Sequence, residues 1–328
     1  MKEFGSDFHL CDDMPQLRGK APEPWRAGGF YADGRQAICD LIRHRGWLRI
    51  WIPGYFCYEI VRTIAGTGIA VAFYDDGPEA DDTAAVAKLP FRAGDVLLRM
   101  NFFGLRDCRD NAALPVEVIE DHSHALSGPW VEGSNADWCF ASLRKTLPLS
   151  EGGVLWSPQG HELPAPPPQT TENRSLAERR LRAMRLKSDY LAGREVDKEQ
   201  FRGLYIATEE ELDLLPLSAL DPEDEKMLST LDVGAWNERK RRNWQQLSNA
   251  LAGQVEILRP ETQACIPFSL VIRGQKLKAR LVAESIYPAL LWEVPEQYDR
   301  NLLSIHCDGR YGPHDMENLT NKIRSCLK

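Results

Sequence analysis

The sequence predicts an α/β fold, a large domain built on a mostly parallel sheet followed by a smaller C-terminal α+β domain. Three observations lead there. Between residues 48 and 156, short apolar runs alternate with helical patterns or long crossovers, which is how parallel strands are connected. Those runs are largely apolar rather than alternating with polar residues, as strands covered on both faces are. After them the stretch 158–173, with the triple Pro166-Pro167-Pro168, can be neither helix nor central strand and so divides the chain.

Residues 1–30 show no periodicity and hold Pro15, Pro22 and Pro24, which reads as an irregular arm. Order begins where Ala37, Ile38, Leu41 and Ile42 follow the helical period. Asp33 is suited to cap that helix, and Gly34 permits close approach to its start. A helix start with free N–H groups beside a glycine can hold a phosphate. A strand at 48–52 stops at Pro53-Gly54, and a helix follows over 58–65. Further strands are expected at 69–74, 96–100, 116–119, 138–141 and 153–156, with an acidic loop at 75–82. Ser175-Leu176-Ala177-Glu178 has capping-box spacing and opens a basic helix through Tyr190. Its Arg179, Arg180, Arg182, Arg185 and Lys187 read most simply as a solvated face, with a dimer contact or an anionic-substrate patch as the alternatives. Helix starts are expected at Thr208 and Asp221, and a long helix over 233–251. The remainder predicts strands at 255–258, 268–272 and 302–306 and helices at 277–284 and 316–327, a compact α+β module. The expected organisation is an arm over 1–30, a large domain over 31–230 and a small domain over 231–328.

At 328 residues and 43% hydrophobic, the chain can bury a substantial core in two domains. A net charge of −8 argues against a nucleic-acid or anionic-membrane surface, since both need a basic excess. The eight cysteines form no CxxC pair and lie mostly in apolar runs, which reads as reduced, buried thiols. The N-terminus is acidic where a signal peptide would be apolar, and no apolar run approaches the ~20 residues that span a bilayer. A soluble, cytoplasmic protein is expected.

The chemistry concentrates between Val116 and Trp156. One strand ends in Glu120-Asp121 and runs into His122-Ser123-His124; the next is followed by Ser142-Leu143-Arg144-Lys145 and then Glu151-Gly152-Gly153. In a parallel sheet such strand ends are where ligands bind. A lysine that can lose its proton suits a Schiff base with an aldehyde cofactor. Pyridoxal phosphate (PLP) also needs an acid against its ring nitrogen. Asp121 and Lys145 can supply those two groups and the Ser142 hydroxyl a phosphate contact, although Asp and Lys near strand ends are common. As a metal set, His122, His124 and Asp121 are disfavoured, because alternate strand residues point to opposite faces. Gly152-Gly153 alone reads as a tight turn.

Four pieces in register resemble the fold-type I PLP-dependent transferases, particularly the nucleotide-sugar aminotransferase (DegT/DnrJ/StrS) family. They are Asp33-Gly34-Arg35-Gln36-Ala37-Ile38, Ile52-Pro53-Gly54-Tyr55-Phe56-Cys57, Glu120-Asp121-His122-Ser123-His124-Ala125, and Ser142-Leu143-Arg144-Lys145 with Glu151-Gly152-Gly153. The resemblance implies Lys145 as the lysine that carries the cofactor and Asp121 as the partner of its pyridine nitrogen. It implies His124 near the 3-hydroxyl, the phosphate on Gly34, on the N–H groups of Arg35 and Gln36 and on Ser142, and Phe56 or Tyr58 over the ring. His306 and Arg310 are candidate contacts of a substrate carboxylate, or a strand-to-helix junction. Further implications are a homodimer, an amino-acid donor and a keto-sugar nucleotide acceptor; the alternative is a member of the fold that binds without catalysing. The sequence departs from the family pattern at Asp33, where the family has serine, and in its short spacing from Ser142 to Lys145.

Overall fold

The computed structural model describes residues 3–11, 13–16, 23–290, 296, 298 and 301–328. The first sheet runs through β2 (Gly29–Tyr31), β3 (Arg49–Pro53), β4 (Ala70–Tyr74), β5 (Asp95–Met100), β6 (Glu117–Asp121), β7 (Trp138–Ser142) and β8 (Gly153–Trp156). Their order in space is β2-β8-β7-β6-β5-β3-β4. The run from β7 to β4 is parallel, and β8 is antiparallel to both its neighbours. Every residue of β5 and β7 is buried, as apolar strands covered on both faces must be. The expected α/β class is therefore the observed one. The edge strand β2 falls within the stretch expected to be irregular; its three residues are too few to carry a period, and pairing with β8 makes them a strand.

Helix α1 (Gly34–Arg45) starts where Asp33 caps it, the carboxylate accepting the Gln36 N–H at 2.8 Å. It is followed by α2 (Tyr58–Ala65), then by α3 (Asp82–Val86), which begins inside the expected acidic loop because Asp81 caps it through the Ala84 N–H, and by α4 (Pro129–Gly133). Beyond the prolines, α5 (Thr171–Leu191) starts ahead of the expected Ser175, because the Thr170 hydroxyl takes the first-turn N–H of Asn173. Thr208 is likewise no helix start. It lies inside α6 (Lys198–Glu211), capped by Asp197, and its hydroxyl bonds back to Leu204 O at 2.7 Å. The expected solvated face of α5 is also only half correct. Arg182 and Arg185 are exposed, but Arg180 and Lys187 are buried against α6 and the N-terminal arm.

After α7 (Pro222–Thr230) and α8 (Val233–Ala250) come β9 (Leu270–Arg273), α9 (Lys278–Ala283), β10 (Ile286–Tyr287), β11 (Ala289–Leu290), β12 (Leu302–Ile305) and α10 (Pro313–Leu327). Strands β11, β12 and β9 make an antiparallel sheet that packs Leu270, Ile272, Leu303 and Ile305 against Leu247, Leu319 and Ile323 in a core of their own, while Val271 and Leu302 join the core of the first sheet. The strand expected at 255–258 contributes a single bridge, Ile257 to Ile272. The described residues of the arm touch both parts: β1 (Phe4–Gly5) pairs with β10, and Leu10 and Pro15 bond to Met184 and Asp232. Among the described residues no helix is long and apolar enough to cross a membrane.

Candidate functional site

At the C-terminal ends of β6 and β7 a cavity of about 400 Å³ opens toward the start of α1. Gly34 and Arg35 border it from α1, Ser123 and Ser142 form part of its base, and Cys57 and Tyr58 close another side. The approach of helix to strand is tight. A Cβ at Gly34 would lie 3.2 Å from the Ser142 backbone and side chain, a tight contact that a larger residue would relieve by moving helix and strand apart by a few tenths of an ångström. The Ser142 N–H is tied down, donating to Ser123 Oγ at 2.9 Å.

Lys145 is half-buried on this wall and has no hydrogen-bond or ion-pair partner among the described residues. Beneath the base lies Asp121, 2% exposed, with Oδ1 accepting the Ser123 N–H at 2.8 Å. Burial pushes its carboxyl upward, and the positive charge of Lys145 is the largest influence opposing that rise. The structure thus brings Lys145, Asp121, Ser142, Gly34 and Arg35 together from separate elements. Ser123 joins them without having been singled out; its place two residues after Asp121, and so on the same side, was the available signal.

Other expected residues fall elsewhere. Phe56 is buried in the main core, whereas Tyr58 lines the cavity, its hydroxyl donating to Gly54 O at 3.2 Å. The Gln36 N–H is already used by Asp33, and its side chain bonds Asn173, Pro216 and Ser218, making it a brace between α1 and the segment after α6. His124 lines neither this cavity nor its neighbour. Its ring lies between Phe103 and Phe268, centroids 5.2 and 4.7 Å away, with Nδ1 accepting the Phe103 N–H. Burial, then the charges of Lys145 and Lys240, hold it well below the usual histidine range, so it is neutral. Asp33, 3% exposed, has Oδ1 on the Gln36 N–H and Oδ2 without a partner, and burial raises its pKa.

The other face of β6 is different. Glu120 Oε2 accepts from Ser134 Oγ at 2.7 Å and meets His122 Nε2 at 3.1 Å, while Oε1 accepts from Asn111 Nδ2 at 2.8 Å. Cys139 Sγ completes a cluster whose ligand atoms lie within 4.8 Å of one another. These groups bond to one another, and His122, whose Nδ1 has no hydrogen-bond partner among the described residues, packs on Trp130 and Trp156.

A second cavity, about 290 Å³, lies on the far side of Lys145 and shares Arg144 and Lys145 with the first. Arg180 and Met184 of α5, Asp7 and Phe8 of the arm, and Phe268 and His306 also line it. Arg310 does not. Its Nε and an NH2 group grip Asp308 at 2.8 Å each, and its other end holds the arm at Asp7 O, 3.1 Å away. That Arg144, Arg180, Glu209 and Asp7 come together could not be read locally, because α5, α6 and the arm meet only in the folded chain.

No protein-family model matches the sequence, and no curated protein matches it. Solved structures do match in fold. The *S. venezuelae* protein DesV, solved with a ketimine intermediate, superposes with a TM-score of 0.59 at 13% identity, over 97% of this chain and 92% of its own. Spr1654 from *Streptococcus pneumoniae*, in its PMP form, gives 0.60 at 11% identity over 96% and 94%. A DegT DnrJ EryC1 StrS aminotransferase from *Brucella abortus* gives 0.56 at 15% identity over 91% and 85%. At such identities the likeness establishes the fold: the chain has the architecture of the PLP-dependent transferases of fold type I.

Proposed function

We propose that the protein is a PLP-dependent aminotransferase that moves an amino group from an amino acid to a keto substrate, with a keto-sugar nucleotide as the acceptor class. The observation that carries this reading is the cavity itself. It presents Lys145, which has no hydrogen-bond or ion-pair partner among the described residues, with Asp121 buried nearby and Ser142 packed against the start of α1. The structural neighbours support it, since DesV was solved with a ketimine intermediate and DesI with a TDP-sugar product.

The residues present fit the cofactor. Gly34, Arg35 and Ser142 line the cavity together at the start of α1, where a phosphate would be held. When bound, PLP supplies an electron sink for the carbanion formed at the substrate Cα. Lys145 would hold it covalently and then carry the proton between substrate and cofactor as general acid and base. The Asp121 carboxylate would keep the ring nitrogen protonated, and Tyr58 would cover the ring. Asp33 takes the place of the family's serine, and its free Oδ2, when protonated, can donate to the phosphate as a hydroxyl would. A dimer and the division into domains at residues 30 and 230 are parts of the same reading. His306, on the second cavity, suits a substrate contact better than Arg310, which Asp308 already holds.

Adding PLP to the purified chain should give a bound-cofactor absorbance band that is absent from Lys145→Ala, and L-glutamate should convert that band to the amine form. A wild-type chain that gives no band defeats the proposal. A band that no amino donor alters would favour a protein that binds PLP without catalysing.

A further inference from the structure

We propose that the face of β6 and β7 turned away from the cavity is a structural site for a divalent cation of the zinc class, with Glu120, His122 and Cys139 as ligands and the Ser134 hydroxyl as the fourth. This goes beyond the function proposed above and does not depend on it.

Glu120 and His122 are two residues apart at the end of β6 and so share a face that Asp121 does not. Cys139 is the residue of β7 directly opposite Glu120 in the parallel register, and Ser134 follows the end of α4. Strand pairing thus brings a carboxylate, an imidazole and a thiol together, all three fully buried. Glu120 Oε2 stands 3.1 Å from His122 Nε2, 3.7 Å from Cys139 Sγ and 2.7 Å from Ser134 Oγ. Ser134 Oγ in turn stands 3.6 Å from Cys139 Sγ. Donors around a tetrahedral zinc, at about 2.0–2.3 Å from it, lie roughly 3.3–3.7 Å from one another. An ion therefore fits among these four after shifts of about half an ångström.

The donor set selects the ion. Sulfur and imidazole suit zinc, whereas calcium and magnesium take oxygen. Carboxylate and thiolate together cancel a double positive charge, which matters where no water reaches. Among the described residues no lysine or arginine pairs with Glu120. Arg99 reaches it only through Asn111 and faces Asp82 at 3.7 Å. Asp137, whose charge also reaches Cys139, is turned to the Val118 N–H and to His161. Asn111 Nδ2 holds Glu120 Oε1 at 2.8 Å and so presents Oε2, the outer support that a carboxylate ligand has. Cys108, half-buried, donates to the carbonyl of Gly133, the residue before Ser134, and offers an incoming soft cation a first hold. On binding, Cys139 gives its thiol proton to water, and His122 carries its proton on Nδ1 so that the Nε2 lone pair faces the ion. The ion ties β6, β7 and the end of α4 together behind Asp121 and Ser142.

The full chain, stripped with a chelator and then given zinc sulfate, should keep about one zinc per chain through desalting, with or without PLP. Its melting temperature should rise by about 5 °C at saturating zinc. Cobalt(II) in place of zinc should give a thiolate-to-cobalt charge-transfer band. Cys139→Ser should abolish that band, and Asn111→Ala should weaken zinc by about tenfold while keeping it. Cys57→Ser and Lys145→Ala, on the cofactor cavity, should change neither. If Cys139→Ser does not fold, as its melting curve would reveal, Asn111→Ala and Ser134→Ala decide, each weakening zinc and keeping the thiolate band. A wild-type chain that leaves the column without zinc overturns the proposal. So does cobalt bound without the thiolate band, a band that survives Cys139→Ser, folded Asn111 and Ser134 variants that bind zinc as wild type does, or zinc lost with Lys145→Ala, which would place the ion in the cofactor cavity. The PLP band takes no part in these outcomes, so failure here leaves the aminotransferase reading standing.

Discussion

Glu120 and Asp121 are neighbours on one strand, equally hidden from water, and opposite in character. Glu120, on one face of β6, receives hydrogen bonds from Ser134 and Asn111 and faces His122, so although burial opposes its charge, its partners hold its pKa below the ordinary value. Asp121, on the other face, has burial raising its pKa against the charge of Lys145 and the hydrogen bonds of Ser123, and burial prevails. A buried carboxylate whose lone pairs are all used is part of the framework. One that burial holds above its ordinary pKa, with Ser123 as its hydrogen-bond partner, can take a further partner that the protein does not itself supply. The pleat of a strand separates the two roles by one residue.

The strongest way to break this contrast is Asp121→Asn. The shape is kept and the negative charge opposite the cofactor's ring nitrogen is lost, so the half-reaction with L-glutamate should slow by on the order of 10²–10³-fold. The melting temperature should hardly change, because the Ser123 N–H keeps an acceptor. Stopped-flow spectra and a melting curve measure both; a fully active variant would remove Asp121 from the site. Glu120→Gln should do the reverse. Its new NH2 group would meet donors in a closed network, costing about 2–3 kcal/mol and roughly 5–10 °C in melting temperature, while the surviving folded fraction keeps its PLP band. A variant as stable as wild type would mean that the network on that face contributes little.

The smallest expected effect sharpens the comparison with a third buried carboxylate. Asp33 lies beside the cavity with one oxygen that has no hydrogen-bond partner among the described residues and, like Asp121, a raised pKa. As pH rises through that pKa the carboxyl loses its proton and a negative charge appears next to the phosphate cradle. Asp33→Asn still caps α1 but cannot ionise. The ratio of its PLP affinity to that of wild type should therefore be larger at pH 8 than at pH 5, by up to about tenfold, a Coulomb penalty of modest size at a partly screened site. Equilibrium dialysis at the two pH values decides it, and a ratio that is flat with pH would show that Asp33 does not face the phosphate.

How much of this could be read beforehand follows from what each feature depends on. The strands from 49 to 156 were legible because their apolar runs are local. So were the caps at Asp33 and Asp221, since a cap needs only its own first turn. The starts of α5 and α6 were misplaced because Ser175 and Thr208 mimic caps inside helices already begun at Thr170 and Asp197. Tyr58 could not be separated from Phe56 by sequence. Two residues apart at the start of α2, one ring turns into the core and the other into the cavity.

By itself the sequence determined the α/β class and placed Lys145, Asp121 and Ser142 at the ends of neighbouring strands, because strand order and strand ends follow from local pattern and parallel pairing. Only the tertiary structure decided that Arg180 is buried rather than solvated, that Arg310 is held by Asp308, and that residues 6–8 of the arm wall a second cavity beside Lys145. Those outcomes depend on which distant charges meet once α5, α6, the arm and the C-terminal strands pack together. The pairing energy of a charge is set by the neighbours that folding brings to it, and no local run of residues encodes them.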